Sequence, residues 1–339
     1  RRREDGTMRV ALVTHDSSLR HETGRFHPER PDRIPATIAG VHESGLTVVE
    51  YEPVRARFED LALVHDGEYI VEVERFCATG GGAFDPDTVA VPASWDAALL
   101  SAGGGPAAID ALANGIADVG FVAMRPPGHH ALENRAMGFC LFNNIAIAAR
   151  RLTEEGNKVA IVDWDVHHGN GTQRTFYNDP DVLYISLHEF PAYPGTGWVD
   201  ETGSSGGVGT TVNFPMPGGT EGAPYRWAMR WVIVPLLEEF EPDWLLVSAG
   251  YDAHRADPLA DILLEESDYA AMAAMLARVM PKQRTVFFLE GGYDLAALTA
   301  STAATLGGSA GNAPDPPPVE ATGTSGAWKV IRQVAASRA

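Results

Sequence analysis

Short apolar runs alternate with helix-like segments along most of this sequence, and no other feature constrains the fold as strongly. The apolar runs are typical of buried strands and lie at 9–13, 118–124, 159–164, 182–187, 244–250 and 285–290. The intervening patterns predict helices at 94–115, 144–156, 225–240, 267–280 and 294–306. Near-continuous apolar strands separated by helices indicate a parallel sheet that is covered on both faces. The predicted fold class is therefore α/β.

Polar residues follow five of these predicted strands at the point where each strand ends. In chain order, the segments after the strands read RPPGHH, DVHHGNG, HEFPAYPGTG, YDAH and GGYD. Ligands of open parallel sheets bind beyond the carboxyl ends of the strands. Five strands therefore deliver His, Asp or Tyr to one edge, and the sequence predicts a functional site there.

The stretch AIVDWDVHHGNGT runs from an apolar strand directly into two aspartates and two histidines. In a strand, Asp163, Asp165 and His167 would project to the same side. Such polar groups are costly to bury without a partner, and a metal ion is the natural partner. A third ligand must come from elsewhere, and Asp252, the last residue of SAGYD, is the best-placed acid. The alternative is that Asp165 caps a helix or turn and His167 is a hydrogen-bonded core histidine. Asp163 and His168 alongside, and the GYD at the end of another strand, favour metal binding.

Two adjacent histidines lie in RPPGHHALENRAMGFC, residues 125–140. In a loop, the rings of His129 and His130 can reach a common pocket, and a histidine serves as a general base near neutral pH without a large pKa shift. Asp163 and Asn170 are the residues expected to orient the two rings. Extra metal ligation or simple packing of the pair remains the alternative.

Aromatic and acidic residues of the loops are candidates for the rest of the site. Tyr293 in GGYD follows a strand, and its hydroxyl group is a suitable donor to an oxyanion; the alternative is a buried, hydrogen-bonded tyrosine. For Phe139 and Tyr193, ordinary packing in the core is the alternative. Both lie in loops at the carboxyl edge of the sheet, where they would suit the walls of a narrow apolar channel. Asp87 in AFDPDTVAV would either orient a substrate backbone or stabilise a turn.

Composition excludes several classes of protein. The formal charge of −19 argues against a nucleic-acid partner, because such binders carry a basic patch. No apolar run approaches the ~18 residues that a membrane span needs. The two cysteines, Cys77 and Cys140, make a disulfide framework improbable and suit a reducing, cytoplasmic location.

The chain of 339 residues is near the upper limit for one hydrophobic core, roughly 250–300 residues. We expect an N-terminal extension at 1–7, one domain at 8–310, and a flexible segment with a short terminal helix at 311–339. Within the domain, 21–34 and 188–211 are rich in Gly and Pro and are unusually long for structureless connections, as functional loops often are.

Taken together, the motifs resemble a known family. HPERPDRI, RPPGHHA, GFCLFNNIAIAA, DWDVHHGNGT, SLHEFPAYPGTG, SAGYDAHRADPL and LEGGYD are similar to the histone deacetylase and acetylpolyamine amidohydrolase superfamily over about residues 10–305. Asn170, where other members have Asp, resembles the class II histone deacetylases and the bacterial histone deacetylase-like amidohydrolases. The resemblance implies the arginase–deacetylase fold, a single α/β domain with a central eight-stranded parallel sheet flanked by helices.

The same resemblance implies roles for individual residues. The zinc ligands are Asp165, His167 and Asp252; the catalytic residues are His129, His130 and Tyr293, with Asp163 and Asn170 behind the histidines. The channel for the acyl-lysine side chain involves Gly138, Phe139, Tyr193 and, at its mouth, Leu259; Arg33 lies beneath the site. A structural potassium ion would use Asp163, Asp165, His167, Ser186 and Leu187, and a second one would lie near Phe176, Asp179 and Val182.

The implied activity is zinc-dependent hydrolysis of an amide, with His130 as general base and a charged His129 beside it. Acylated lysine and acylated polyamine both fit as substrates, although Leu259 is not the glutamate of the polyamine-preferring branch. An arginase-type ureohydrolase shares the fold, but it needs DAHxD and GGDH-like motifs that this sequence lacks. A non-catalytic acyl-lysine-binding module is the other alternative, and a homo-oligomer is compatible with the resemblance.

Overall fold

The computed structural model describes residues 7–312 and 325–338. The strands are β1 Arg9–Val13, β2 Thr47–Tyr51, β3 Gly82–Ala83, β4 Val89–Ala90, β5 Val119–Val122, β6 Val159–Asp163, β7 Val182–Glu189, β8 Thr211–Met216, β9 Trp244–Ala249 and β10 Thr285–Leu289. The helices are α1 Ser17–Arg20, α2 Arg33–Glu43, α3 Phe58–Leu61, α4 Gly67–Ala78, α5 Ser94–Ala113, α6 Asn144–Glu154, α7 Asn170–Phe176, α8 Gly222–Ala228, α9 Val234–Phe240, α10 Glu266–Val279, α11 Leu295–Ser309 and α12 Gly326–Ala336.

Eight of the strands form one sheet in the order β2-β1-β5-β10-β9-β6-β7-β8. Every neighbouring pair in this sheet is parallel. The registers place Asp163 opposite Ser186 on one side and Ser248 on the other, so these strands end close together. The predicted eight-stranded parallel sheet is confirmed, and the remaining strands, β3 and β4, form a small antiparallel hairpin.

The sheet has an apolar core on each face, and β6 shows how its sequence serves both. Ala160 and Val162 lie in one core together with side chains of α10 and α11. Val159 and Ile161 lie in the other core, with side chains of α5 and α6. Because successive side chains of a strand point to opposite faces, a run with no polar residue is what a doubly covered strand requires.

Two strands of the sheet were not predicted from the sequence. Thr47–Tyr51 is one of the two edge strands, and its side chains are exposed or only partly buried, so it lacks a continuous apolar run. Thr211–Met216 is fully buried, but it contains Pro215 and follows a glycine-rich loop, a pattern that predicts irregular structure. The helix predicted at 225–240 corresponds to α8 and α9, which are joined by a π-helical segment at Met229–Ile233.

The terminal helix predicted from the sequence corresponds to α12. Its Trp328 and Ile331 are buried in the same core as α10 and α11. Most of the segment expected to be flexible, residues 313–324, lies outside the described residues. No helix within 7–312 or 325–338 is long and apolar enough to cross a membrane. The division into 1–7, 8–310 and 311–339 stays a prediction.

Candidate metal centre and active site

A cavity of about 560 Å³ lies at the carboxyl edge of the sheet, where the polar segments after β5, β6, β7, β9 and β10 meet. Most of the predicted site residues line it: His129, His130, Gly138, Phe139, His167, Tyr193, Leu259, Asp87 and Tyr293. A second cavity of about 580 Å³ lies at the opposite edge, beside Met8, Val119 and Thr285, and contains none of these side chains. The sheet topology therefore brings the predicted site together as expected.

Asp165, His167 and Asp252 form a cluster suited to a metal ion. One potential ligand atom from each lies within 4.8 Å of the others. His167 Nδ1 is 3.1 Å from an oxygen of Asp252 and 3.3 Å from an oxygen of Asp165. Both aspartates are about 1 % exposed, and among the described residues only histidines lie within ion-pair distance of them. Two buried carboxylates and one imidazole match the donor set of a divalent cation such as zinc.

The chain reaches this arrangement through a turn, and the interpretation of one shared strand face is wrong. Strand β6 ends at Asp163, so alternation does not extend to Asp165 and His167. Instead, Asp163 Oδ1 accepts the N–H of Asp165 at 3.2 Å, and Asp165 Oδ1 accepts the N–H of His167 at 2.9 Å. Asp252 accepts the N–H of Val166 at 2.9 Å, which fixes the same turn from β9. The three candidate ligands therefore converge because the carboxylates of Asp163, Asp165 and Asp252 hold the backbone of this turn.

His129 and His130 lie side by side, with ring centroids 4.0 Å apart, and each is oriented by the expected partner. Nδ1 of His129 is 3.0 Å from Oδ2 of Asp163. Nδ1 of His130 is 2.8 Å from the amide oxygen of Asn170, while the amide nitrogen of Asn170 contacts the sulfur of Met137. An amide oxygen only accepts, so Nδ1 of His130 carries the proton and Nε2 keeps a free lone pair.

The two histidines differ in their protonation. Burial lowers the pKa of His129, but the carboxylates of Asp163 and Asp165 outweigh it and raise that pKa to about 10. Burial also lowers the pKa of His130, and the neighbouring His129 and His167 lower it further, well below 6.5. At neutral pH, His129 is therefore a cation and His130 is neutral.

Tyr293 follows a turn in which Gly292 has a φ of +115°, a conformation that favours glycine. The ring lies 5.0 Å from the guanidinium carbon of Arg33 and 5.9 Å from the ring of Phe139. Burial and the nearby Asp252 raise the pKa of Tyr293 well above 10. The hydroxyl group thus stays protonated and available as a donor.

The channel walls are shaped by backbone geometry as well as by side chains. Gly138 and Phe139 have φ values of +55° and +67°. A Cβ atom at Gly138 would lie 2.4 Å from Cδ2 of His130, so this position has no room for a side chain. The ring of Tyr193 is 5.1 Å from that of His130 and nearly perpendicular to it. Leu259 is 42 % exposed, as expected of a residue at the mouth.

The rim contains two residues that the sequence did not single out. Phe26 lines the cavity and is 92 % exposed. His27 contacts Phe139 edge-on at 4.7 Å, and its Nε2 is 2.8 Å from the carbonyl oxygen of Asp87. Asp87 itself contacts Thr88 within a turn, so the structure is compatible with both roles expected of it.

Comparison with known proteins decides the family. Residues 27–308 match the family model described as "Histone deacetylase domain". This chain belongs to the histone deacetylase family. A protein of Archaeoglobus fulgidus named "Probable deacetylase" is 40 % identical over 298 residues, covering 85 % of this chain and 82 % of that protein. The "Histone deacetylase-like amidohydrolase" of Pseudomonas aeruginosa is 42 % identical over 278 residues, covering 79 % and 73 %.

A solved structure supports the same assignment. The crystal structure of the HDA15 HD domain superposes with a TM-score of 0.87 at 37 % identity, covering 96 % of this chain and 93 % of that one. The resemblance read from the motifs is therefore confirmed, and this histone deacetylase family member has the single-domain α/β fold that was expected.

Buried charges beneath the site were mostly missed in the sequence. The Glu29 carboxylate lies between the guanidinium groups of Arg33 and Arg125, all three with fully buried side chains. Arg33 donates to the carbonyl oxygens of Gly292 and Glu290, next to Tyr293. Arg125 immediately precedes the histidine loop. This Arg–Glu–Arg triad joins the two loops that carry the catalytic candidates. From the sequence, only Arg33 was expected beneath the site; Glu29 and Arg125 were not singled out.

Glu290 supports the histidine loop directly. Its Oε2 accepts the N–H groups of Gly128 at 2.7 Å and His129 at 3.2 Å. By contrast, His168 is not part of the metal cluster, and its two ring nitrogens contact Thr196 and Gln173. Its presence beside His167 is therefore not an argument for metal binding.

Proposed function

We propose that this protein is a zinc-dependent amidohydrolase that removes acetyl or other acyl groups from lysine-like amines. The observation that carries the proposal is the candidate metal cluster, whose His167 lines the cavity beside one charged and one neutral histidine. Membership of the histone deacetylase family and the names of two relatives, a probable deacetylase and a histone deacetylase-like amidohydrolase, support it.

Asp165, His167 and Asp252 would hold the zinc ion, since their donor atoms already converge. Zinc bound there would polarise the acyl carbonyl group and lower the pKa of water towards ~7. Three protein ligands leave room for water and a substrate oxygen, as catalytic sites require.

The side chains of this chain would move the protons and stabilise charge. Nε2 of His130 would take a proton from the attacking water and pass it to the amine as the C–N bond breaks. The His129 cation, held by Asp163, would stabilise the negative charge that develops on the carbonyl oxygen. The hydroxyl group of Tyr293 would donate a hydrogen bond to that oxygen. The products are a carboxylate and a free amine.

The residues at the mouth of the cavity favour an acylated lysine as the substrate. Leu259, with the channel walls Gly138, Phe139 and Tyr193, suits an extended acyl-lysine side chain, and Asp87 would orient the substrate backbone. The charge of −19 keeps an acylated polyamine as the second candidate. A homo-oligomer and a cytoplasmic location stay predictions.

We also propose that a structural potassium ion binds beside the metal cluster. Asp163 and Ser186 are register partners in adjacent strands, which brings two of the five expected residues together. The Ser186 hydroxyl group lies 2.9 Å from Nδ1 of His188. The second site, near Phe176, Asp179 and Val182, remains an expectation from the resemblance.

The proposal is tested with a fluorogenic acetyl-lysine peptide and, in parallel, an acetylated polyamine. We expect hydrolysis of the peptide, loss of activity with a chelator, and recovery when one equivalent of zinc is restored. Activity that survives chelation would exclude the metal mechanism. Preferential turnover of the polyamine would replace the lysine assignment, and two transition metals per chain would revive an arginase-type enzyme.

The pH dependence of kcat/KM should report the protonation states of His129 and His130. Because the pKa of His130 is lowered, this base stays unprotonated down to pH values below 6.5, and kcat/KM should fall only under more acidic conditions. The raised pKa of His129, about 10, should keep its charge through pH 9. A kcat/KM profile measured with the acetyl-lysine peptide checks both limbs. An acidic limb centred above 7 would contradict the assignment of His130.

A further inference from the structure

Asp257 lies in the segment after β9, between Asp252 and Leu259, and has no role in the site described above. Its side chain is buried, with 7 % of the residue exposed. Both of its oxygens accept backbone N–H groups. Oδ2 accepts from Tyr293 at 2.7 Å and, more weakly, from Asp294 at 3.4 Å, while Oδ1 accepts from Leu259 at 3.0 Å.

These contacts connect the mouth of the channel to the turn that presents Tyr293. The turn contains Gly291 and Gly292, which have no Cβ atoms to restrict the backbone. External contacts must therefore define its conformation. Arg33 holds the carbonyl oxygen of Gly292 at 2.7 Å, and Asp257 holds the N–H of the next residue. A carboxylate that accepts from backbone N–H groups forms strong, directional hydrogen bonds.

We propose that Asp257 is a positioning residue that sets the Tyr293 hydroxyl group through the backbone of its turn and ties that turn to Leu259. The inference rests on the proposed role of Tyr293 in amide hydrolysis. Asp257 does not touch the substrate in this view; it acts through Tyr293. A displacement of ~1 Å of such a group can cost on the order of a hundredfold in rate.

The chemistry of the carboxylate makes the amide variant informative. Asparagine has nearly the same shape as aspartate, but it offers one acceptor oxygen and one NH₂ donor. Both oxygens of Asp257 accept backbone N–H groups. In Asp257→Asn, the new NH₂ group must therefore face one of these N–H groups, and that hydrogen bond is lost. Asp257→Glu keeps both oxygens and moves them one methylene outward. Both variants should displace the turn, whereas Asp261→Asn, at an exposed position four residues later, is the matched control.

A double-mutant cycle with Tyr293→Phe tests the inference. We expect Asp257→Asn and Asp257→Glu to lower kcat about tenfold or more in the parent and less than about twofold in the Tyr293→Phe background, with KM and zinc content little changed. Asp261→Asn should match the parent in both backgrounds. Equal losses of kcat in the two backgrounds would show that Asp257 acts through general stability and would overturn the proposal.

Hydrogen–deuterium exchange provides a readout that does not depend on activity. The peptide spanning 288–298 should exchange faster in both Asp257 variants than in the parent and in Asp261→Asn. Unchanged exchange would overturn the proposal even if kcat falls. If the parent does not hydrolyse the acetyl-lysine peptide, the proposed function fails, while faster exchange in the variants still supports the structural link between Asp257 and the tyrosine turn.

Discussion

Replacing Tyr293 with phenylalanine is expected to lower kcat about a hundredfold or more. The substitution removes only the hydroxyl group, so the ring keeps its contacts with Arg33 and Phe139. Loss of one donor to a developing oxyanion typically costs ~2.7–4 kcal/mol of transition-state stabilisation. The hydrogen bond strengthens as charge develops on the oxygen, so KM should change much less than kcat.

The measurement is kcat at saturating acetyl-lysine peptide, with zinc content determined on the same sample. Tyr51→Phe, on the edge strand β2, is a matched control that removes a hydroxyl group away from the cavity, and it should retain the parent activity. A Tyr293→Phe enzyme within threefold of the parent would contradict the donor role. A parallel loss of zinc would attribute the effect to the metal centre instead.

The central strands were predictable because they are buried on both faces. A strand such as β6, VAIVD, has apolar residues on each side until its terminal aspartate, and this pattern is visible without any tertiary information. The edge strand β2, TVVEY, faces solvent in part, so its composition is mixed. Parallel pairing then places all strand ends at one edge, which is why the position of the site followed from the sequence.

The missed helices had different causes. In α4, GEYIVEVERFCA, the buried residues Tyr69, Ile70, Val73 and Cys77 recur at helical spacing, so the signal was present. Helix α2 begins at Arg33, inside the stretch 21–34 that was expected to be irregular because of its prolines and charges. Its Arg33 is buried only because Glu29 compensates the charge, a relation that the linear sequence does not display.

The sequence predicted which residues line the candidate site, but it did not predict the buried acids that hold the backbone of the site's loops. His129, His130 and the proposed metal ligands could be identified because polar residues directly follow buried strands. Asp257 and Glu290 bind backbone N–H groups of other loops, and such contacts depend on tertiary structure alone. An Asp or Glu in a loop normally faces solvent, so the residue type alone does not reveal that a particular one is buried and accepts hydrogen bonds.

Replacing Glu29 with glutamine is expected to lower the free energy of unfolding by ~3–5 kcal/mol, because the variant leaves two buried guanidinium groups without a counter-charge. Oε2 of Glu29 is 2.7 Å from Nη2 of Arg125, and Oε1 is 3.1 Å from Nη1 of Arg33. Urea unfolding at pH 7 measures the effect. Asp60→Asn, which breaks the exposed ion pair with Arg57, is the matched control and should change stability little.

The pH dependence of unfolding distinguishes the contribution of the Glu29 charge to stability from the contribution of side-chain packing. Burial opposes ionisation of Glu29, but Arg125 and Arg33 outweigh it and lower the pKa from 4.5 to about 2. A lowered pKa in the folded state means that the stabilisation is complete above pH 4.5 and is lost as pH falls towards 2. The parent should therefore lose stability over this range, and Glu29→Gln should lose less. Equal slopes in the two proteins, or an unchanged urea midpoint at pH 7, would contradict the role of the triad.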